Sequence, residues 1–162
     1  MRDSLPHCLA PPRKGYNAFA LIYRPGAQTA CEDLARAIAF VYQHEDELDV
    51  DGHGGYNTVL DMQHALGTWK DGVISGQWSG NREYLWAMDS VEWGGQGSQM
   101  VMALQRLVGA VADGIWGKET STKLQDRLIA GGYFCGDAGA DGYFGRCSVR
   151  ALQQCLNDGR LA

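Results

Sequence analysis

Four of the five acidic residues in the run "EDELDVDGH" could do chemistry together: Glu45, Glu47, Asp49 and Asp51. Glycoside hydrolases use a pair of carboxylates, one as general acid and the other as nucleophile or base. Acidic side chains adjacent in sequence, however, usually form a solvated face. The run therefore leaves a small hydrolase site in the N-terminal part of the chain open as an alternative.

A thiol nucleophile beside a base is suggested by His7 and Cys8. Sequence neighbours seldom form such a pair, and neither a third member nor a nucleophile elbow is legible. The five cysteines show no Cys-x-x-Cys spacing, and Cys147 and Cys155 lie too far apart on one helix for a disulfide. We therefore expect buried free thiols for most of the cysteines and assign no catalytic residue.

Two further patterns partly match the ligand spacings of metal sites. In "ELDVDGHGGYNT", Asp49 and Asp51 occupy the third and fifth places of a calcium-binding loop, but the twelfth place is Thr58 instead of a bidentate Glu. His53 and His64 are eleven residues apart, with no third ligand at zinc spacing. The sequence therefore predicts neither a metal nor another cofactor.

A repeated cassette explains the Asp-Gly pairs better than a metal does. Three segments align without a gap: "DGHGGYNTVLDMQHAL" from Asp51, "DGIWGKETSTKLQDRL" from Asp113 and "DGYFGRCSVRALQQCL" from Asp141. Each has Gly at the second and fifth places, a hydroxyl residue at the eighth, Gln at the thirteenth and Leu at the sixteenth. This agreement indicates internal repeats, each a turn followed by a helix. A hydroxyl or carboxylate at the helix start is expected to cap its free N–H groups.

One face of each repeated helix should enter the core, because the ninth, twelfth and sixteenth places are three and four residues apart. In the first and third segments these places hold Val59, Met62, Leu66, Val149, Leu152 and Leu156. The Gln stands beside this stripe, where its amide can hydrogen-bond a neighbouring loop or line a groove. The first of these roles is favoured, and both stay open.

A fourth, imperfect unit begins at Asp71, and its Leu-Gln pair follows only at Leu104 and Gln105. The interval contains an insertion of about 22 residues relative to the other units. In or beside that insertion stand four of the five tryptophans, namely Trp69, Trp78, Trp86 and Trp93. We predict a Trp-rich loop that projects from this unit.

The charge balance limits the partners. With 14 basic and 19 acidic residues the net charge is -5, and no Lys/Arg run is present, which disfavours binding to nucleic acid or to an anionic membrane. No window approaches the ~18 consecutive apolar residues of a membrane helix, and the N-terminus does not have the pattern of a signal peptide. A neutral or mixed-charge partner fits better.

The stretch "MVMALQRLVGAVADGIWGKETSTKLQ" resembles the peptidoglycan-binding domain family, with its Leu-Gln helix, Asp-Gly-aromatic-Gly loop, Thr and second Leu-Gln helix. The resemblance covers residues 99–157 well and residues 49–67 acceptably. It implies a mainly α fold of tandem small three-helix bundles with long glycine-rich loops. It also implies noncatalytic binding to bacterial peptidoglycan or an attached wall polymer, as the targeting part of an endolysin or muramidase.

The extent of the resemblance, together with the apolar spacing of residues 31–46, divides the chain into three parts. Residues 1–48 are unassigned and contain one amphipathic helix over residues 31–46; residues 49–98 form a first unit with the Trp-rich insertion; residues 99–162 form a second unit. The protein would act at the cell wall after phage-type release from the cytoplasm, or else after secretion. Association with a full-length lysin or with a second copy of the chain, as a structural or assembly subunit, stays open.

Ligand-binding candidates follow from the chemistry of the wall. Aromatic rings pack on the C–H faces of sugars, while carboxylates and amides bind hydroxyl and peptide groups. The candidates are Trp78, Trp86, Trp116, Tyr143, Asp113, Asp141, Gln125 and Gln153. The alternative for Trp116 is that it and Phe144, in equivalent loop positions, fill the core instead.

Overall fold

The computed structural model describes residues 49–162, so the helix expected over residues 31–46 lies outside the described part. The elements are α1 (Tyr56–Ala65), β1 (Ile74–Gln77), a 3-10 helix (Ser79–Leu85), β2 (Val91–Trp93), α2 (Gln99–Val108), α3 (Lys118–Ala130) and α4 (Arg146–Asn157). Residues Val50–Ala162 form one compact unit. Among the described helices, none is long and apolar enough to cross a membrane.

Each repeated cassette leads from its turn into a helix through a glycine. Gly55, Gly117 and Gly145 stand in extended backbone immediately before α1, α3 and α4. The expectation of a side-chain cap at these helix starts is wrong, because no side chain caps any of the three. The hydroxyl residues at the eighth place are instead buried and serve a different purpose, described below.

The insertion folds into a small parallel sheet. β1 pairs with β2, Ile74 lies opposite Val91 and Gln77 opposite Trp93, and the register shifts between these two pairs. The segment between the strands contains the 3-10 helix. A further parallel bridge joins Gly54 to Met88, which ties the first Asp-Gly loop to the segment between the 3-10 helix and β2.

The prediction of a mainly α fold built from tandem three-helix bundles is wrong. Helices account for 46% and strands for 8% of the described residues, and the architecture is mixed α/β with a two-stranded parallel sheet. Two features of the chain cause the difference. The insertion supplies the strands, and the last helix, α4, packs against the first, α1, so that the two halves share one core.

The predicted core stripe is confirmed. Val59, Met62, Val149 and Leu152 have no exposed surface, and Leu66 and Leu156 are partly buried against the same cluster. Because residues three and four apart fall on one side of a helix, the repeated apolar places can all reach this single core.

Candidate functional site

Four glutamines each bind an Asp-Gly turn in the same way. Gln125 on α3 places Nε2 at 2.9 Å from Asp141 Oδ1, 3.1 Å from the Tyr143 carbonyl and 2.9 Å from Ser148 Oγ, while its Oε1 accepts the Gly142 N–H at 2.8 Å. We call this arrangement a glutamine clasp. The equivalent pairs are Gln63 with Asp71, Gln105 with Asp113 and Gln153 with Asp51.

The clasps show that the Gln side chains hydrogen-bond a neighbouring loop and do not line a groove. Gln125 and Gln153 retain 1% and 2% of their surface, and both ends of each amide are bonded within the fold. Asp113 and Asp141 are exposed, but Oδ1 of each accepts from the clasp and from the N–H two residues further along. The structure thus gives these four candidates a part in holding turns, and a buried polar group held in this way is costly to release.

The 3-10 helix is fixed to the second half of the chain by three bonds. Asn81 Nδ2 donates to the Trp116 carbonyl at 3.0 Å. The Tyr84 carbonyl accepts from both the Ser121 hydroxyl at 2.6 Å and the Phe144 N–H at 3.0 Å. The insertion therefore does not project freely as the sequence suggested, because its 3-10 helix is bonded to Trp116 of the Asp113 loop and to Phe144 of the Asp141 loop.

Three aromatic residues lie near the C-terminal end of the 3-10 helix, and we call them the aromatic platform: Tyr84, Trp86 and Tyr143. The Tyr84 and Tyr143 rings lie 5.6 Å apart between centroids, tilted by 44°. The Trp86 ring lies against Gly145, where a side-chain carbon would come within 2.9 Å of the indole. Trp86 is 57% and Tyr143 42% exposed, so the platform is open to solvent.

Trp78 marks the other end of the 3-10 helix. Its side chain is 58% exposed, and its ring lies over Gly80. At ~2 Å rise per residue, Trp78 and Trp86 are separated by about 16 Å along the helix. The two exposed indoles therefore stand at opposite ends of the 3-10 helix.

The charge around the platform is low and mixed. Lys118 Nζ lies 5.5 Å from the centroid of the Tyr143 ring. The hydrogen bond with Glu83, together with the charge of that carboxylate, raises the pKa of Tyr84. Because the Tyr84 hydroxyl donates to Glu83, its oxygen can still accept a hydrogen bond. This surface suits a neutral, hydroxyl-rich ligand.

Trp116 occupies a different place from the other aromatic candidates. Its side chain has no exposed surface, its Nε1 donates to Ser121 Oγ at 2.8 Å, and its ring meets Phe144 edge to face at 5.4 Å. The alternative reading, in which Trp116 and Phe144 fill the core, matches this geometry. A buried ring of this kind cannot meet a ligand without opening the fold.

Neither a family model, a curated protein nor a solved structure matches this chain. The resemblance to the peptidoglycan-binding domain family therefore stays a prediction.

The catalytic and metal alternatives gain no support from residues 49–162. Within that range, no group of three or more His, Cys, Asp or Glu residues could hold a metal ion. Asp51, from the acidic run and the calcium-like loop, is engaged by Gln153 and by the His53 N–H. His7, Cys8, Glu45 and Glu47 lie outside the described residues.

Sequence reasoning missed two members of the site, Tyr84 and Lys118. Tyr84 sits in a segment with no helical periodicity, so nothing in the sequence placed it beside the Asp141 loop. Lys118 follows the second glycine of its cassette and could have been found, because every cassette puts a side chain at that position on the helix start. The roles of Thr58, Thr120 and Ser148 as clasp acceptors were also missed.

Proposed function

We propose that residues 49–162 attach the protein to bacterial peptidoglycan, or to a polymer linked to it, without cleaving it. The observation that carries the proposal is the open aromatic platform of Tyr84, Trp86 and Tyr143, with Trp78 beyond it at the other end of the 3-10 helix. The resemblance drawn from residues 99–157 points to the same ligand.

The exposed indoles of Trp78 and Trp86 indicate an interaction surface. Large apolar side chains lose free energy when they leave water, by about 25 cal/mol per Å2, and clustered exposed ones often mark an interaction surface. Trp86 and Tyr143 are held by a backbone that is itself bonded at Tyr84 and Phe144, so little entropy is lost when a ligand packs on them. Flat rings held in this way match the C–H faces of sugar rings.

The electrostatics support a glycan over a strongly anionic partner. The chain carries a net charge of -5, and the cation next to the platform, Lys118, already lies over the Tyr143 ring. Amide and hydroxyl groups of a glycan and its stem peptides need hydrogen bonds more than counter-charges. The proposed site of action is the cell wall, after release from the cytoplasm or after secretion.

The proposal is tested by mixing the purified full chain with insoluble peptidoglycan and measuring both the sedimented fraction of protein and the turbidity of the suspension. Retention with constant turbidity supports attachment. A fall in turbidity would instead support the hydrolase alternative, for which the sequence offers catalytic candidates in the N-terminal part of the chain. Failure to sediment at any protein concentration contradicts wall binding and leaves assembly with another protein to be tested by sedimentation velocity.

A further inference from the structure

A cleft of about 560 Å3 lies between the ends of α2, α3 and α4 and shares no residue with the aromatic platform. Its walls combine cationic, aromatic and aliphatic side chains, among them Lys123, Arg127, Arg160, Tyr133, Leu107 and Val108. A concave site that places a few polar groups on an apolar floor is the usual form of a small-ligand site.

The cleft concentrates positive charge on an acidic protein. Three cations, Lys123, Arg127 and Arg160, line it together with the carboxylate of Asp126, and the Asp158 carboxylate is bonded to Tyr133 at its edge. The whole chain has a net charge of -5, so this surface stands out from its surroundings. Because a concave site of one sign focuses the field inside it, a ligand with an anionic group is favoured there.

Two of the three cations, Arg127 and Arg160, are positioned by contacts within the fold. Arg127 donates from Nε at 3.1 Å and from Nη2 at 2.7 Å to the Leu161 carbonyl, which fixes the plane of its guanidinium. A guanidinium has five N–H donors, so donors remain for an acceptor in the cleft. Arg160 lies over the Tyr133 ring at 5.8 Å, and the Tyr133 hydroxyl donates to Asp158 at 2.7 Å.

Aliphatic side chains at the bottom of the cleft favour a ligand with an apolar part beside its anionic group. Leu107 and Val108 are only partly buried, and Ala130 is exposed beside them. A hydrated polyol phosphate would leave this surface unused, whereas a carboxylate attached to an aliphatic carbon would cover it and reach the cations. We propose that this cleft binds the free carboxylate end of a short peptide with a small aliphatic terminal residue.

For a wall-bound protein, that ligand would be a stem peptide of peptidoglycan. The identification of the ligand as a stem peptide rests on the proposed function, whereas the presence of a carboxylate-binding site in the cleft does not. The two can fail separately, because the cleft is tested below with a soluble peptide and the aromatic platform with insoluble wall. Binding of the peptide without wall retention would keep the cleft and reject the wall attachment.

The probe is diacetyl-L-lysyl-D-alanyl-D-alanine, titrated into the full chain by calorimetry or by NMR and compared with the same peptide carrying a C-terminal amide. The free acid should bind at least about tenfold more tightly than the amide, since one charge-assisted hydrogen bond is worth that factor. Arg160→Gln and Lys123→Gln should each weaken binding of the acid about threefold or more. Lys70→Gln removes an exposed cation outside the cleft and should change nothing.

Three results would overturn the inference. Equal affinity for acid and amide would show that no carboxylate is read. Unchanged binding in the Arg160→Gln, Lys123→Gln double variant, with an unchanged circular dichroism spectrum, would place the ligand elsewhere. Competition by inorganic phosphate at the same concentration as the peptide would mean a general anion site and not one selective for a peptide carboxylate.

Discussion

Gln153 on the last helix donates from Nε2 to Asp51 Oδ1 at 3.0 Å, joining two residues that are 102 positions apart. Its Oε1 accepts the Gly52 N–H, so the final cassette holds the turn of the first. The other three clasps join a helix to the Asp-Gly turn that follows it along the chain. The Gln153 clasp therefore closes the series into a ring, which is why separate tandem bundles do not form.

Removal of this clasp should destabilise the whole unit. Gln153→Ala leaves the buried Gly52 N–H and the Asp51 turn without their partner, at a cost of about 2 to 3 kcal/mol in the free energy of unfolding. Gln154→Ala, one residue further on the exposed side of α4, is the matched control. Urea unfolding followed by circular dichroism measures both, and equal stability of the two variants would contradict the clasp.

Substitutions at two glycines can distinguish the cost of backbone strain from the cost of a steric clash. Gly52 and Gly67 both have positive φ, at 82° and 64°, but a side-chain carbon at Gly52 would lie 2.8 Å from the Arg146 carbonyl, whereas none lies within 4 Å at Gly67. We expect Gly67→Ala to cost about 1 kcal/mol and Gly52→Ala at least about 2 kcal/mol in the free energy of unfolding. Equal losses would show that the first turn is not packed against α4.

The repeat made part of the fold predictable. The cassette spacing gave the helices after Asp51, Asp113 and Asp141 and the buried places Val59 and Leu152, because a 3.6-residue period exposes the apolar face directly. The ring closure could not be read in this way, since nothing in the sequence of Gln153 distinguishes a partner 8 residues away from one 102 residues away. Pairing at that distance depends on how the helices pack.

The structure of the insertion, in contrast, could not be predicted from the sequence. Its short strands, four and three residues long, carry no sustained alternation of apolar and polar residues, so the sequence indicated only a loop. The exposure of Trp78 and Trp86 followed from the scarcity of local core around them, and the structure agrees. Trp116 could not be separated from them by type alone, because its burial depends on Phe144 from a different cassette.

Trp116 offers a direct test of the core role. Trp116→Phe removes the bond to Ser121 and part of the buried volume, and should lower the free energy of unfolding by about 2 kcal/mol. Retention on insoluble peptidoglycan, normalised to folded protein, should not change. Weaker retention with unchanged stability would instead show that this ring contacts the ligand.

The cysteines should differ in reactivity. Among the cysteines of residues 49–162, Cys147 is exposed, whereas Cys135 and Cys155 are buried, so iodoacetamide followed by peptide mass mapping should label Cys147 before these two. Burial, with a smaller contribution from the charges of Cys147 and Asp141, raises the pKa of Cys135 from 9.0 to about 11. Faster labelling of Cys135 than of Cys147 in the folded protein would contradict this burial.

The same pKa shift sets a direction for stability at alkaline pH. The unfolded Cys135 thiol ionises near pH 9.0 and the folded one near 11, so between these values the unfolded chain has already lost its proton. The free energy of unfolding should therefore fall as pH rises through this window and be unaffected by this group below it. Cys135→Ala should remove that part of the alkaline decline in urea titrations, and an identical decline in both proteins would contradict the assignment.

Wall retention by single-tryptophan variants tests the central claim most directly. Trp86→Ala removes the indole of the aromatic platform, and Trp69→Ala removes an indole that is 83% exposed but lies outside it. The fraction of each folded variant that sediments with insoluble peptidoglycan is measured across protein concentrations. We predict that Trp86→Ala weakens retention by about three- to tenfold, while Trp69→Ala matches the unchanged protein. Equal retention by Trp86→Ala and the unchanged protein, or an equal loss in both variants, would contradict attachment through the platform.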